Sequence, residues 1–92
     1  MSDRNLDNIW NVEVRFDEDD VHTRATARVQ FGDGESLTAV GDAYRNPRDD
    51  SQPMVGEEIA AARAVIALGS ELLQVAAKRI EQATHQPVHL GR

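Results

Sequence analysis

"HTRATARVQFGDGESLTAVGDAY", residues 22–44, is two alternating runs joined by two glycines. In the first run Thr23, Ala25, Ala27, Val29 and Phe31 fall on one side, and His22, Arg24, Thr26, Arg28 and Gln30 on the other. A period of two is that of a strand with one buried face. "GDG" at 32–34 then predicts a hairpin, because glycine takes positive φ without a side-chain penalty. The second run, about Ser36 to Tyr44, fits two facings. Either Leu37, Ala39, Gly41 and Ala43 point inward, or Val40 and Tyr44 do. The first is favoured, since small inner residues let a helix approach closely, and Gly41 also suits a bend or bulge.

Upstream of this hairpin, Trp10, Val12, Val14 and Phe16 alternate with Asn11, Glu13 and Arg15, which predicts a further strand with those four apolar residues inside. "DEDD", 17–20, reads as its turn. It lacks the spaced ligands and the glycine of a calcium loop. Downstream, "RNPRDDSQP" is a loop with two prolines. "VGEEIAAARAVIALGSELLQVAAKRIEQA", 55–83, repeats apolar residues at threes and fours: Ile59, Ala62, Ile66, Gly69, Leu72, Leu73, Ala76, Ile80 and Ala83. That spacing predicts a long helix with this stripe inside. Glu57 and Glu58 suit its first turn, and Lys78 and Arg79 its end. Pro87 stops it.

The expected fold is therefore α+β: a three-stranded antiparallel meander followed by a long C-terminal helix, in two layers. Residues 1–7 read as a loose polar tail, and 8–92 as one domain. A helix of roughly 27 residues is about 40 Å long, whereas a strand of about nine residues reaches about 30 Å. Either the helix breaks, near Gly69 or Ala77, or its overhang packs on a second chain. The two open sheet edges also need cover. Both points favour a homodimer, with Ile66, Leu72, Leu73 and Ile80 as candidate interface residues.

Composition narrows the function. The 92 residues hold no cysteine, so neither a disulfide nor a thiolate metal site is available. The polar N-terminus resembles no signal peptide, and Arg63, Ser70 and Glu71 interrupt the apolar stretch 59–73, so a soluble, cytoplasmic protein without a membrane span is expected. Net charge is −6, and Lys78 is the single lysine, which opposes general affinity for nucleic acid. His85 and His89 are four apart, a metal spacing on a helix, but Pro87 between them forbids one. Glu57 and Glu58 are adjacent and point about 100° apart on a helix, which prevents them from acting as a facing pair. No serine has a histidine or lysine neighbour in sequence. Neither a catalytic centre, a cofactor nor a small-molecule substrate is expected. Arg15, Arg24 and Arg28 share the predicted outer sheet face, and Tyr44, Arg45 and Arg48 extend it towards the loop. These six are candidate contacts for RNA. Their plain alternative is cross-strand pairing that keeps the face wet.

Trp10 opening the first strand, "TRATARV", "VGDAYRNPRD", "VGEEIAAARAVIAL" and "IEQATHQPVHL" occur in one order. In this the chain, over about residues 9–90, resembles a small actinobacterial domain-of-unknown-function family with a double-stranded-RNA-binding-domain-like (dsRBD-like) fold. Some members of that family are associated with dormancy and hypoxia. The resemblance implies a dimer, and a likeness of shape to ribosome hibernation-promoting factors. It carries no catalytic residue. Two functions of different class are thus expected: a non-catalytic stress or dormancy factor that binds the ribosome or structured RNA, or a homodimeric protein–protein interaction module that binds no nucleic acid.

Overall fold

The computed structural model describes residues 9–32, 34–46, 48, 50 and 52–91; the predicted tail, 1–7, lies outside them. Three strands, β1 (Asn11–Glu18), β2 (His22–Phe31) and β3 (Glu35–Tyr44), precede one helix, α1 (Pro53–Thr84). They form an antiparallel sheet in the order β1-β2-β3. Val12 lies opposite Val29, and Ala25 opposite Gly41.

Local chemistry sets the boundaries. Of "DEDD", only Asp19 and Asp20 lie between strands, because Asp17 and Glu18 still pair with Arg24 and Thr23. Asp19 closes the turn by accepting the backbone N–H groups of Val21 and His22 at 2.9 Å each. These two bonds favour its ionised form and hold its carboxyl below the usual range. At the second turn Gly32 and Gly34 adopt φ of 56° and 96°, as the hairpin signal required.

The helix runs unbroken for 32 residues, through Gly69 and Ala77, so of the two alternatives the break does not occur. Pro53 occupies its first turn, where a missing N–H costs nothing. Glu57 and Glu58 consequently lie one turn further in than expected. At the other end His85 takes a left-handed φ of 60° and donates its N–H to the Glu81 carbonyl. By length and composition α1 is apolar enough to cross a membrane, with an 18-residue stretch of mean hydropathy 1.5. The charges at Arg63 and Glu71 do not remove that property, contrary to the sequence expectation. Its apolar residues have another use here, as Ala60, Ala64 and Leu68 are buried against the sheet.

That contact corrects the predicted helix stripe. The buried set is Ala25, Ala27, Val29 and Ala43 from the sheet and Ala60, Ala64 and Leu68 from α1. Ile59, Ile66 and Ile80, all predicted inside, are 40–60% exposed. Gly41 supplies the reason. A Cβ built there would collide with the backbone of Ala64 and Ala60 and with the Cβ of Arg63. The inward facing of Leu37, Ala39, Gly41 and Ala43 is as expected, and at Gly41 it draws the helix so near that Ala60 and Ala64 face the sheet. Ile59, Ile66 and Ile80 turn away, while Leu72 still packs against the core.

The second correction concerns β1. The helix packs on β3 and β2 and makes no comparable contact with β1. Trp10, Val12 and Phe16 point to the helix side of the sheet yet remain 50%, 48% and 40% exposed; only Val14 is half-buried. One helix is about 10 Å wide, and three strands are spaced at about 4.8 Å, so a helix seated over β2 and β3 cannot reach the third.

Candidate functional site

Two surfaces merit a functional reading: the outer sheet face and the uncovered β1 side.

The outer face gathers Arg15, Arg24, Arg28 and Tyr44 of the six predicted RNA contacts, as the register places them together. Arg24 Nε donates to Asp42 Oδ1 at 2.8 Å, and His22 Nε2 lies 2.7 Å from the same oxygen. The Arg24 contact, then His22, holds the Asp42 carboxyl below the usual range, and Arg24 is raised in turn. The Tyr44 ring stacks on His22 with centroids 4.5 Å apart and 6° between planes. Among the described residues Arg15 pairs only with Glu13 of its own strand, at 3.8 Å. Among the described residues Arg28 has no ion-pair partner, and its neighbour across the ladder is Glu13.

The remaining two candidates leave this face. Arg45 turns back to the β1–β2 turn, where its Nη2 and Nε donate to the Asp20 carbonyl at 2.6 and 3.1 Å. Arg48 is exposed in the loop, its backbone N–H bonded to Asn46 Oδ1. On the outer face itself three arginines, 15, 24 and 28, meet three acids, Glu13, Asp17 and Asp42. The sum is neutral. Sequence reading missed Asp17 because "DEDD" looked like a turn throughout, although period two continues to it.

A cleft of about 810 Å³ opens between the β1–β2 turn and the start of α1, lined in part by Glu18, His22, Thr23, Tyr44 and Gly56. Beside it Glu57 meets Glu18 of β1, a carboxyl pair that sequence spacing could not show because 39 positions separate them. Their hydrogen bond requires a shared proton, which with partial burial raises Glu57 above the usual carboxyl range. Thr23 Oγ1 donates to Glu18 at 3.5 Å. Among the described residues no three His, Cys, Asp or Glu side chains gather to hold a metal ion. His85 caps the helix and His89 lies in the exposed tail beyond it.

The uncovered side carries Trp10, just before β1, and Val12 and Phe16 of β1. The Trp10 ring packs on Phe31, with centroids 5.1 Å apart. Of the predicted interface residues, Ile66 and Ile80 lie on the exposed stripe of α1, Leu73 is half-buried, and Leu72 packs against the chain's own core.

Residues 8–89 match the family model described as Rv2632c-like. The chain belongs to the Rv2632c-like family. It is 42% identical over 81 residues to the uncharacterized protein Mb1767 of Mycobacterium bovis, a match covering 88% of this chain and 85% of that one. It is 38% identical over 77 residues to the uncharacterized protein Rv2632c of Mycobacterium tuberculosis, covering 84% and 82%. The crystal structure of Rv2632c superposes with a TM-score of 0.81 at 34% identity, over 94% of this chain and 100% of that one. The expected small actinobacterial family and the sheet-then-helix architecture therefore stand.

Proposed function

We propose that this Rv2632c-like chain is a non-catalytic, cytoplasmic interaction module that works as a homodimer. One observation carries the reading: the fold leaves Trp10, Val12 and Phe16 on the inner side of the first strand exposed, with only Val14 packed on the core, while that core consists of five alanines, Val29 and Leu68. Alanine burial yields little, and burying one Val or Leu side chain is worth only about 1.5–3 kcal/mol. A chain that sets Trp10, Val12 and Phe16 beside so small a core gains from a second surface that covers them. Exposed apolar groups of this kind, collected on one element, mark interaction sites.

Trp10 is the only tryptophan, so it reports the association directly. On serial dilution its emission is expected to move to longer wavelength as the dimer dissociates. Emission that stays at the position of a solvated indole from high micromolar to nanomolar concentration contradicts the reading.

A second reading, binding of the ribosome or structured RNA in a dormant or stressed cell, rests on the family resemblance and on the exposed Tyr44 ring at the Arg24 end of the arginine row. The neutral outer face opposes it, because affinity for a polyanion comes from an excess of cationic contacts. Co-sedimentation with ribosomes at several salt concentrations tests it: a bound fraction that falls as salt rises supports it, and absence from the pellet at low salt removes it.

A further inference from the structure

We infer that two copies join edge to edge through β1, antiparallel and centred on Val14, so that the two sheets become one of six strands. The inference rests on the homodimer reading above and specifies its contact.

The backbone supplies the first argument. In an antiparallel ladder each residue turns its N–H and C=O to one neighbour only, and successive residues alternate. Asp19 donates its N–H to the His22 carbonyl, so this pair is hydrogen-bonded. Counting back along the register, Asp17, Arg15 and Glu13 face β2 in the same way. Val12, Val14 and Phe16 therefore turn their backbone groups to the open edge. On the far edge, Arg63 Nη1 already donates to the Asp42 carbonyl at 2.7 Å. No comparable side chain caps β1 among the described residues. An open edge of this length is a template for another strand.

Side chains choose the occupant and the register. A two-fold axis pairs each position with its mirror position, and inner residues must meet inner ones. Centring on Arg15 sets Arg15 against Arg15 and Glu13 against Asp17. Centring on Glu13 sets Glu13 against Glu13. Centring on Val14 sets Glu13 against Arg15 twice, Asn11 against Asp17, and Val12 against Phe16 on the inner face. It also sets Trp10 against Glu18, and of these three registers it alone opposes no like charges and pairs opposite ones. The same register gives Arg15 a carboxylate directly across a ladder, where within the single chain it meets Thr26 and has the 3.8 Å contact with Glu13 of its own strand. Opposite charges directly across a ladder stabilise it, and like charges destabilise it.

The test is a charge swap on side chains that are 58% and 84% exposed, followed by sedimentation and by amide exchange. Glu13→Arg alone and Arg15→Glu alone each place like charges across the ladder at two sites, and each is expected to weaken the dimer roughly tenfold or more. An equimolar mixture of the two variants, and the double variant Glu13→Arg/Arg15→Glu, both restore opposite charges and are expected to recover parental association. In the parent dimer the Val12, Val14 and Phe16 amides are expected to be protected, and to lose protection on dilution. A dimer that ignores both single substitutions, that is not rescued by mixing, or whose three edge amides exchange freely overturns the edge pairing while leaving the homodimer reading intact. A monomeric parent removes both.

Discussion

The two halves of the inner sheet face obey different rules. Over β2 and β3 the helix comes so close at Gly41 that no Cβ fits there, and five alanines join Val29 and Leu68 in the buried layer. Over β1 the same face carries tryptophan, phenylalanine and valine and no helix. Small residues thus predominate where the chain packs on itself, with Val29 and Leu68 the buried larger ones, whereas the largest side chains of β1 stay exposed. This inverts the usual expectation that the largest apolar side chains form the core, and it suggests that the large residues serve contact with another chain.

The covered half should be the more fragile. Gly41→Val places a branched side chain against helix backbone that cannot yield, and overpacking of that kind costs about 3 kcal/mol or more. Loss of the cooperative thermal transition, or a greatly lowered midpoint, is the expected result. Leu68→Ala removes the largest helix residue of the core and should cost about 2–4 kcal/mol by chemical denaturation. By contrast Ile66→Glu, on the exposed stripe, should change the stability of the single chain by less than about 1 kcal/mol. A collapse of stability at Ile66 comparable to that at Leu68 would mean that both helix faces are packed, and would erase the contrast.

Much of this was legible in sequence, and the failures share one cause. Period two placed β2 because polar and apolar residues alternate there almost throughout, and it placed β3 despite Val40 and Tyr44 on the outer face. The helix was equally plain, but its buried side was not. Ile59, Ile66 and Ile80 give a stronger periodic signal than Ala60 and Ala64, since hydrophobicity weights size. Gly41 was the counter-signal: a close approach at that position admits only the alanine side of the helix. The β1 pattern likewise revealed an apolar face but not its cover, because periodicity reports which side chains share a face and not how wide the opposing layer is. On the outer face the arginines were found, but the acid that neutralises the row at Asp17 was hidden in an apparent turn.

Smaller effects sharpen the picture at the junction between the halves. Glu57 is raised by its bond to Glu18. A raised carboxyl contributes stability below its unfolded value, about 4.3, and loses it as pH rises through the folded value. At neutral pH the pair repels, so Glu57→Gln should raise the melting temperature at pH 7 and leave it nearly unchanged below pH 4. Asp42 has the opposite sign. Its lowered value contributes stability above about pH 3.9 that is lost as pH falls further, so Asp42→Asn should destabilise at pH 7 and matter little near pH 2. Thermal melts across pH read both. Arg24→Glu with Arg28→Glu removes the Arg24–Asp42 contact and should lower the melting temperature at pH 7, yet leave a folded protein of parental mass that binds ribosomes no differently. A sharp loss of ribosome binding in that folded variant would return the outer face to a nucleic-acid role.

The central claim, that β1 is left uncovered for a second copy, is tested most directly by sedimentation equilibrium of the native chain across micromolar concentrations. The account predicts a species of twice the 10.2 kDa chain mass that dissociates on dilution. A single species of 10.2 kDa at every concentration would contradict it.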